Sequence, residues 1–307
     1  MKKDLICIGD LSKAEIEEIL ELTAGLKAGR EKFSCALKGK TLALVFQKPS
    51  NRTRVSFEVG MYQLGGNVVY LSPGEINLGV REPVKDVART LSGYVDAIVL
   101  RTFAHANVLE MAEYASVPVI NGLSDFSHPC QALGDVFTLR EKWKKLSGRT
   151  LAYVGDGNNV CNSLLYAAAK VGLSMHLATP RGYAPDSKVL SEAKKIAAVN
   201  GAGVRLFHQP QEAAKGADAL YTDVWASMGQ EKEAAKRKRI FRDFQLNRQL
   251  LKLAKPAALV MHCLPAHRGE EITDEVIEGG NSVVFAQAEN RMHVQKAILL
   301  KLLGCRQ

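Results

Sequence analysis

The chain has 307 residues, 47% of them hydrophobic and 24% charged, which is apolar mass for two ordinary domains or one large one and too much for a disordered chain. A formal net charge of +9 admits nucleic acid, an anionic membrane or small anionic substrates as partners without choosing among them. The six cysteines are scattered singly, with no Cys-x-x-Cys pair and no metal-ligand spacing to the seven histidines; neither a disulfide framework nor a zinc motif is indicated, and a reducing compartment is expected.

Taken in chain order, the N-terminal "MKKDLICIGD" has only a short apolar run broken by Asp10, and no later run approaches the roughly 18 residues of a membrane span. Neither a signal peptide nor a membrane segment is expected, and the cytoplasm is the expected location. Four short apolar runs then read as strands, at 41–46, 67–71, 96–100 and 117–120. Between the first two, Phe57, Met61 and Leu64 fall at i, i+4 and i+7, and Gly65-Gly66 closes that helix. A charged helix over about 132–146 leads into a second series of strand candidates at 150–155, 174–179, 203–207, 219–223, 258–262 and 282–287, and a last helix is expected over 290–303. Such alternation predicts an α/β fold of two doubly wound, Rossmann-like lobes with parallel sheets, joined by interdomain helices. The expected boundaries are 1–147, 148–288 and a C-terminal helix at 289–307 that returns to the first lobe.

Ligands of open parallel sheets bind beyond the carboxyl ends of the strands, so polar clusters just after each apolar run are the candidate sites. Ser50-Asn51-Arg52-Thr53-Arg54 leaves a strand and opens a helix, offering N–H groups, hydroxyls and guanidinium forks to a compact dianion; the alternative is a solvated turn with a serine cap. It lacks the glycine spacing and the Gly-Lys-Ser/Thr ending of a nucleoside triphosphate loop. Arg101, His128 and Gln131 are strand-end donors able to polarise a carbonyl oxygen, although a lone histidine is more often a cap. "GDGNNV" at 155–160 carries Val160 where a dinucleotide fingerprint needs its third glycine, which argues against NAD; Asn158 and Asn159 suit an amino-acid carboxylate or a helix cap. Asp223 and Ser227 in "DVWASMG" offer partners for an ammonium group, and Cys263 in "HCLP" is a strand-end thiol, more commonly inert than reactive. The basic "KEAAKRKRIFRDF" has no groove-reading motif around it and reads as a solvated, mobile loop rather than a nucleic-acid site.

In order, S-N-R-T-R, the strand-end Arg101, H-P-C-Q, G-D-G-N-N, D-x-x-x-S-M-G, H-C-L-P and the late "AENRMH" resemble the transcarbamoylase family along essentially the whole chain, on its ornithine-using branch. The resemblance implies that the first lobe binds carbamoyl phosphate and the second binds ornithine. It assigns the phosphate to Ser50, Asn51, Arg52 and Thr53, and the carbamoyl group to Arg101, His128 and Gln131, with Arg291, Cys263 and Leu264 completing that pocket. Ornithine falls to Asn159, Asp223, Ser227 and Met228. It further implies a homotrimer or a multiple of trimers, with Asn77 in "INLGVREP" reaching a neighbour's site, and closure of "SMGQEKEAAKRKR" over bound ornithine. The implied reaction is direct attack of the neutral δ-amine on carbamoyl phosphate, giving L-citrulline and phosphate, with Arg101, His128 and Cys263 as the catalytic set and with no metal or other cofactor. One departure is Asn51, where the family pattern reads threonine. A sister enzyme using N-acetylornithine or putrescine, a non-catalytic amino-acid or phosphate binder, and a nucleic-acid binder are the competing readings; no nucleic-acid or membrane partner is expected.

Overall fold

The structure is a computed structural model that describes residues 3–226, Gly229 and 231–304. The chain divides into two compact units, one made of the residues up to Phe137 together with those from Asn290 onward, the other of Thr138–Glu289. Each is a parallel α/β unit, as the alternation predicts.

In the first unit, β1 (Thr41–Phe46), β2 (Asn67–Leu71), β3 (Ala97–Arg101) and β4 (Val119–Leu123) form a sheet in the order β2-β1-β3-β4, every pairing parallel. Strands buried on both faces read as continuous apolar runs rather than alternating ones, and β1 and β3 are buried almost throughout. Leu5 bridges Ile120 and so covers the β4 edge. The helix Asn51–Gln63 lies between β1 and β2; Gly65, at φ +84°, lets the chain turn out of it, and a side chain there would sit 2.6 Å from the Ser34 carbonyl oxygen. The C-terminal stretch packs on this unit. Lys27 Nζ donates to Asn290 Oδ1 at 2.7 Å, Lys296 Nζ donates to Gln63 Oε1 at 3.0 Å, and Lys301 pairs with Glu18.

In the second unit, β5 (Thr150–Val154), β6 (Ser174–Ala178), β7 (Val204–Phe207), β8 (Ala219–Thr222) and β9 (Leu259–His262) are ordered β7-β6-β5-β8-β9, again all parallel. Both sheets use one device at their amino-terminal edge. Asp96 and Asp218 each take the backbone N–H of the first residue of the unit's opening strand, Thr41 at 2.8 Å and Thr150 at 2.9 Å. Each is also paired with lysine, Asp96 with Lys40 and Asp218 with Lys255, and Asp218 with Arg149 besides.

Two expectations are corrected. The apolar run at 282–287 is not a strand. Only Ser282 makes an isolated bridge, to Val260, and from Val284 the chain is helical through Leu303. Ala286 to Glu289 are strong helix formers, and the neighbouring edge position of β9 is satisfied by a side chain instead, His262 N donating to Gln287 Oε1 at 3.0 Å. The basic stretch expected to be a solvated loop contains the helix Ala234–Phe241, which buries Arg237 and Phe241 at i and i+4. The joining helix begins at Pro129, not near 132, and ends at Trp143. Among the described residues, no helix is long and apolar enough to cross a membrane.

Candidate active site

Strand order decides where a ligand can enter. In the first sheet the order reverses between β1 and β3, and in the second between β5 and β8; crevices at carboxyl ends open at such switch points. Ser50–Thr53 follows β1 and Arg101 ends β3, while "GDGNN" follows β5 and Asp223 follows β8. Each set of candidate residues thus stands at its unit's switch point.

In the first unit, Ser50 is the N-cap of the helix Asn51–Gln63, its Oγ accepting from Thr53 N at 3.2 Å. The first turn of an α-helix carries N–H groups beyond reach of its own carbonyls, and the positive end of its dipole favours an anion. Thr53 is fully buried, and its hydroxyl accepts from Arg101 Nη1 at 3.2 Å and Arg291 Nη2 at 2.8 Å and lies 3.1 Å from Ser50 Oγ. Arg291 also donates to Gln131 Oε1 at 3.0 Å, and Gln131 Nε2 to Asp135 Oδ1 at 2.8 Å. Arg101 is aimed by an irregularity of the sheet: the β3–β4 register jumps between Leu100 and Arg101, skipping Gly122. Gly122 is needed there because a Cβ would stand 3.0 Å from Val99 and 3.3 Å from the Leu100 carbonyl oxygen.

Burial, then the charges of Arg291 and Arg52, push the Arg101 guanidinium down to about 9. His128, buried at the start of the helix Pro129–Trp143, is held well below the usual histidine range by burial first and then by Arg291, Arg101, Lys48 and Arg52. A neutral imidazole at working pH is a hydrogen-bonding group for a carbonyl rather than an acid. A dianion placed among these cations relieves their mutual repulsion. Lys48 is a cation that sequence reasoning did not single out. It is 5% exposed, its Nζ lies 4.6 Å from the Phe103 ring centroid, and its signal was its place two residues before Ser50. Asn51 is exposed at the first helical position, and Asn77, also exposed, adopts a left-handed conformation at φ 38°. Arg54 turns to Glu58 at 3.0 Å and lies over Tyr70 at 3.8 Å.

In the second unit, Asp223 is 5% exposed and gathers three donors: Cys263 Sγ and Val224 N on Oδ1, each at 2.8 Å, and Asn158 Nδ2 on Oδ2 at 2.7 Å. Asn158 caps the helix Asn159–Val171 through Val160 N and Cys161 N, so one amide joins the helix start to the carboxylate. Asn159 is the first residue of that helix and is 8% exposed. Leu264 sits at φ 55°, a left-handed conformation costing a branched residue about 1–2 kcal/mol. It is held by a bond from its N–H to His262 Nδ1 at 2.8 Å, while His262 Nε2 lies 3.2 Å from Glu271 Oε1. Ser227 and Met228 lie outside the described residues. Asp223, His262 and Cys263 present ligand atoms within 4.8 Å of one another, a spacing a metal ion would accept; both nitrogens of His262 are already engaged, so a metal would have to displace one of these bonds.

The second glycine of "GDGNN" serves packing. A Cβ on Gly157 would lie 2.2 Å from Pro185 N and 2.4 Å from the Ala184 carbonyl carbon, where only backbone can yield. Gly157→Ala is expected to destabilise the protein by about 2–3 kcal/mol or more, read as a lower midpoint in urea unfolding.

Two parallel α/β units, one with buried guanidinium groups at a helix start and the other with a buried carboxylate beside a thiol, describe an enzyme that holds an anion in one unit and a cationic group in the other. The chain belongs to the aspartate/ornithine carbamoyltransferase family: residues 3–141 match its carbamoyl-P binding domain and residues 147–302 its Asp/Orn binding domain. It is 54% identical over 304 residues to an ornithine carbamoyltransferase of Thermococcus kodakarensis, covering 98% of this chain and 96% of that one. The structure of ornithine carbamoyltransferase from Pyrococcus furiosus superposes with a TM-score of 0.96 at 53% identity, covering 99% of this chain and 98% of that one. That from Gloeobacter violaceus gives 0.90 at 49%, covering 99% of both chains.

Proposed function

We propose that the chain transfers the carbamoyl group of carbamoyl phosphate to the δ-amine of L-ornithine, giving L-citrulline and phosphate. The observation that carries this reading is the convergence of Arg101 and Arg291 on the buried Thr53 hydroxyl at the start of a helix, next to a histidine kept neutral by its surroundings. Residues 1–147 then form the carbamoyl-phosphate domain, 148–288 the ornithine domain, and 289–307 the returning helix.

In this reading Ser50, Asn51, Arg52 and Thr53 hold the phosphate, and Arg101, His128, Gln131 and Arg291 hold the carbamoyl group. Asn159, Asp223, Ser227 and Met228 hold ornithine. An alkyl amine titrates near ~10.4 by analogy with lysine, so the site must favour its neutral form; Cys263 assists there, without forming a covalent intermediate. The nitrogen lone pair attacks the carbonyl carbon, the oxyanion is stabilised by Arg101, His128 and the backbone at Leu264, and the bond to the phosphate oxygen then breaks. The proton lost from nitrogen leaves with phosphate.

The name of the Pyrococcus furiosus relative, 54% identical, includes "anabolic", which supports the citrulline-forming direction and a place in arginine biosynthesis. We propose a homotrimer, or a multiple of trimers, in the cytoplasm, with Asn77 reaching a neighbour's site. Val55, Val59 and Tyr62, 54%, 38% and 78% exposed at i, i+4 and i+7 of one helix, supply an apolar face for such assembly. A chain mass of one unit by sedimentation equilibrium would rule the trimer out.

The test is to mix the purified protein with carbamoyl phosphate and ornithine, with N-acetylornithine, putrescine or aspartate in parallel. Citrulline and phosphate in equal amounts, with ornithine alone, is the expected result. Turnover of another amine would move the specificity, and silence throughout would overturn the enzymatic reading.

A further inference from the structure

Among the described residues, the helix Ala234–Phe241 is tied to the residues just after β8 through Arg237 and Phe241. Trp225, two residues after Asp223, directs its carbonyl oxygen at Arg237, whose Nη1 donates to it at 3.0 Å. The same Nη1 donates to Asp156 Oδ2 at 2.8 Å, and Nε donates to Glu233 Oε2 one helical turn earlier at 3.0 Å. Arg237 is 7% exposed and Asp156 likewise, so this is a buried pair joining the "GDGNN" turn after β5 to the segment after β8. Those are the two edges of the switch point in this sheet.

The surroundings fix the guanidinium in place. The Tyr183 ring lies 5.1 Å from it, and the Tyr183 carbonyl oxygen accepts from Gly157 N at 2.9 Å, so one residue braces both halves of the pair. Phe241, one turn beyond Arg237, packs edge-on to Tyr183 at 4.9 Å and stacks with Trp225 at 6.2 Å. A guanidinium suits this position because its planar fork serves a carboxylate, a carbonyl and a second carboxylate together, which an ammonium cannot do in fixed geometry. The charges around Asp156 agree: burial, opposed by Arg237 and reinforced by Asp223 and Glu233, brings its carboxyl up to about 6, and Arg237 is the partner that favours its charged form.

We propose that Arg237, through its buried bonds to Asp156 and to the Trp225 carbonyl, is a positioning residue that sets where the Asp223 carboxylate stands for the ornithine amine. Its hydrogen-bond partners Asp156, Trp225 and Glu233 all belong to the second unit. The inference rests on the ornithine reading of Asp223, and predicts a defect confined to one substrate.

The experiment compares Arg237→Ala, Arg237→Lys and Asp156→Asn with the unaltered protein by steady-state kinetics in both substrates and by calorimetric titration with carbamoyl phosphate. Arg237→Ala is expected to raise KM for ornithine at least about tenfold while the Kd for carbamoyl phosphate stays within about twofold. Asp156→Asn, which keeps shape and removes charge, should reproduce the direction of that split, and Arg237→Lys should recover part of it. Should Arg237→Ala not fold, the isosteric Asp156→Asn decides. An ornithine KM unchanged in Asp156→Asn and Arg237→Ala, or equal weakening of both substrates, would overturn the proposal. Absence of citrulline from the unaltered protein would instead overturn the ornithine reading itself.

Discussion

Arg101→Met is expected to lower kcat/KM by at least about 10³-fold. The side chain ends β3 beside a register shift, is 7% exposed, and points Nη1 at the Thr53 hydroxyl. Removing one well-placed donor to a developing oxyanion costs about 10²–10³ in rate, and here the loss of a buried positive charge facing a dianion adds to it. Methionine retains length and apolar bulk, so the sheet should survive. Arg101→Lys is expected to restore little, because an ammonium replaces a planar fork. Rates measured at saturating ornithine would show the effect in both kcat and the KM for carbamoyl phosphate; a loss below about tenfold would remove Arg101 from the reaction.

Asp223→Ala is expected to raise the KM for ornithine about 10²-fold, with carbamoyl phosphate binding unchanged. A carboxylate offers about four lone-pair sites, and Cys263, Val224 and Asn158 use three, which leaves one for an incoming ammonium. A hydrogen bond between charged groups contributes about 1.5–3 kcal/mol, or roughly 10- to 150-fold, and truncation also removes the bonds from Cys263 and Asn158. Asp223→Asn separates charge from shape, keeping an acceptor for Cys263 while removing the anion. Titration with carbamoyl phosphate is the control: if its affinity falls alongside that for ornithine, Asp223 holds the fold and not the substrate.

Much of the fold was legible because buried parallel strands leave a simple mark. Runs such as "TLALVF" are apolar on both faces, and eight of the nine strands start within a residue of the expected positions, the exception being β4, which begins two residues later. The run at 282–287 shows the limit of that mark. A short apolar stretch is compatible with a buried strand or the start of a buried helix, and only the pairing of Ser282 and Gln287 with β9 separates them. The basic stretch misled for a related reason. Four consecutive cations read as solvent-facing, yet one turn of helix sends Arg237 inward to Asp156, 81 positions away, while Lys238 reaches out to Glu270.

The sequence by itself determined the chemistry on offer: a basic, hydroxyl-bearing turn after one strand, an arginine ending another, an imidazole and a carboxamide three positions apart, and an acid and a thiol after two later strands. Local rules sufficed, since caps, helix periodicity and strand-end polarity are set by near neighbours. The tertiary structure alone decided which of these meet. Strand order is a long-range property, and the orders β2-β1-β3-β4 and β7-β6-β5-β8-β9 place β1 beside β3 and β5 beside β8. That adjacency brings Arg101 to Thr53 across 48 positions and Asn158 to Asp223 across 65, while the return of the C-terminal helix brings Arg291 to Thr53 across 238. No pattern within either stretch encodes such a meeting, because the burial that favours it is shared by the whole sheet.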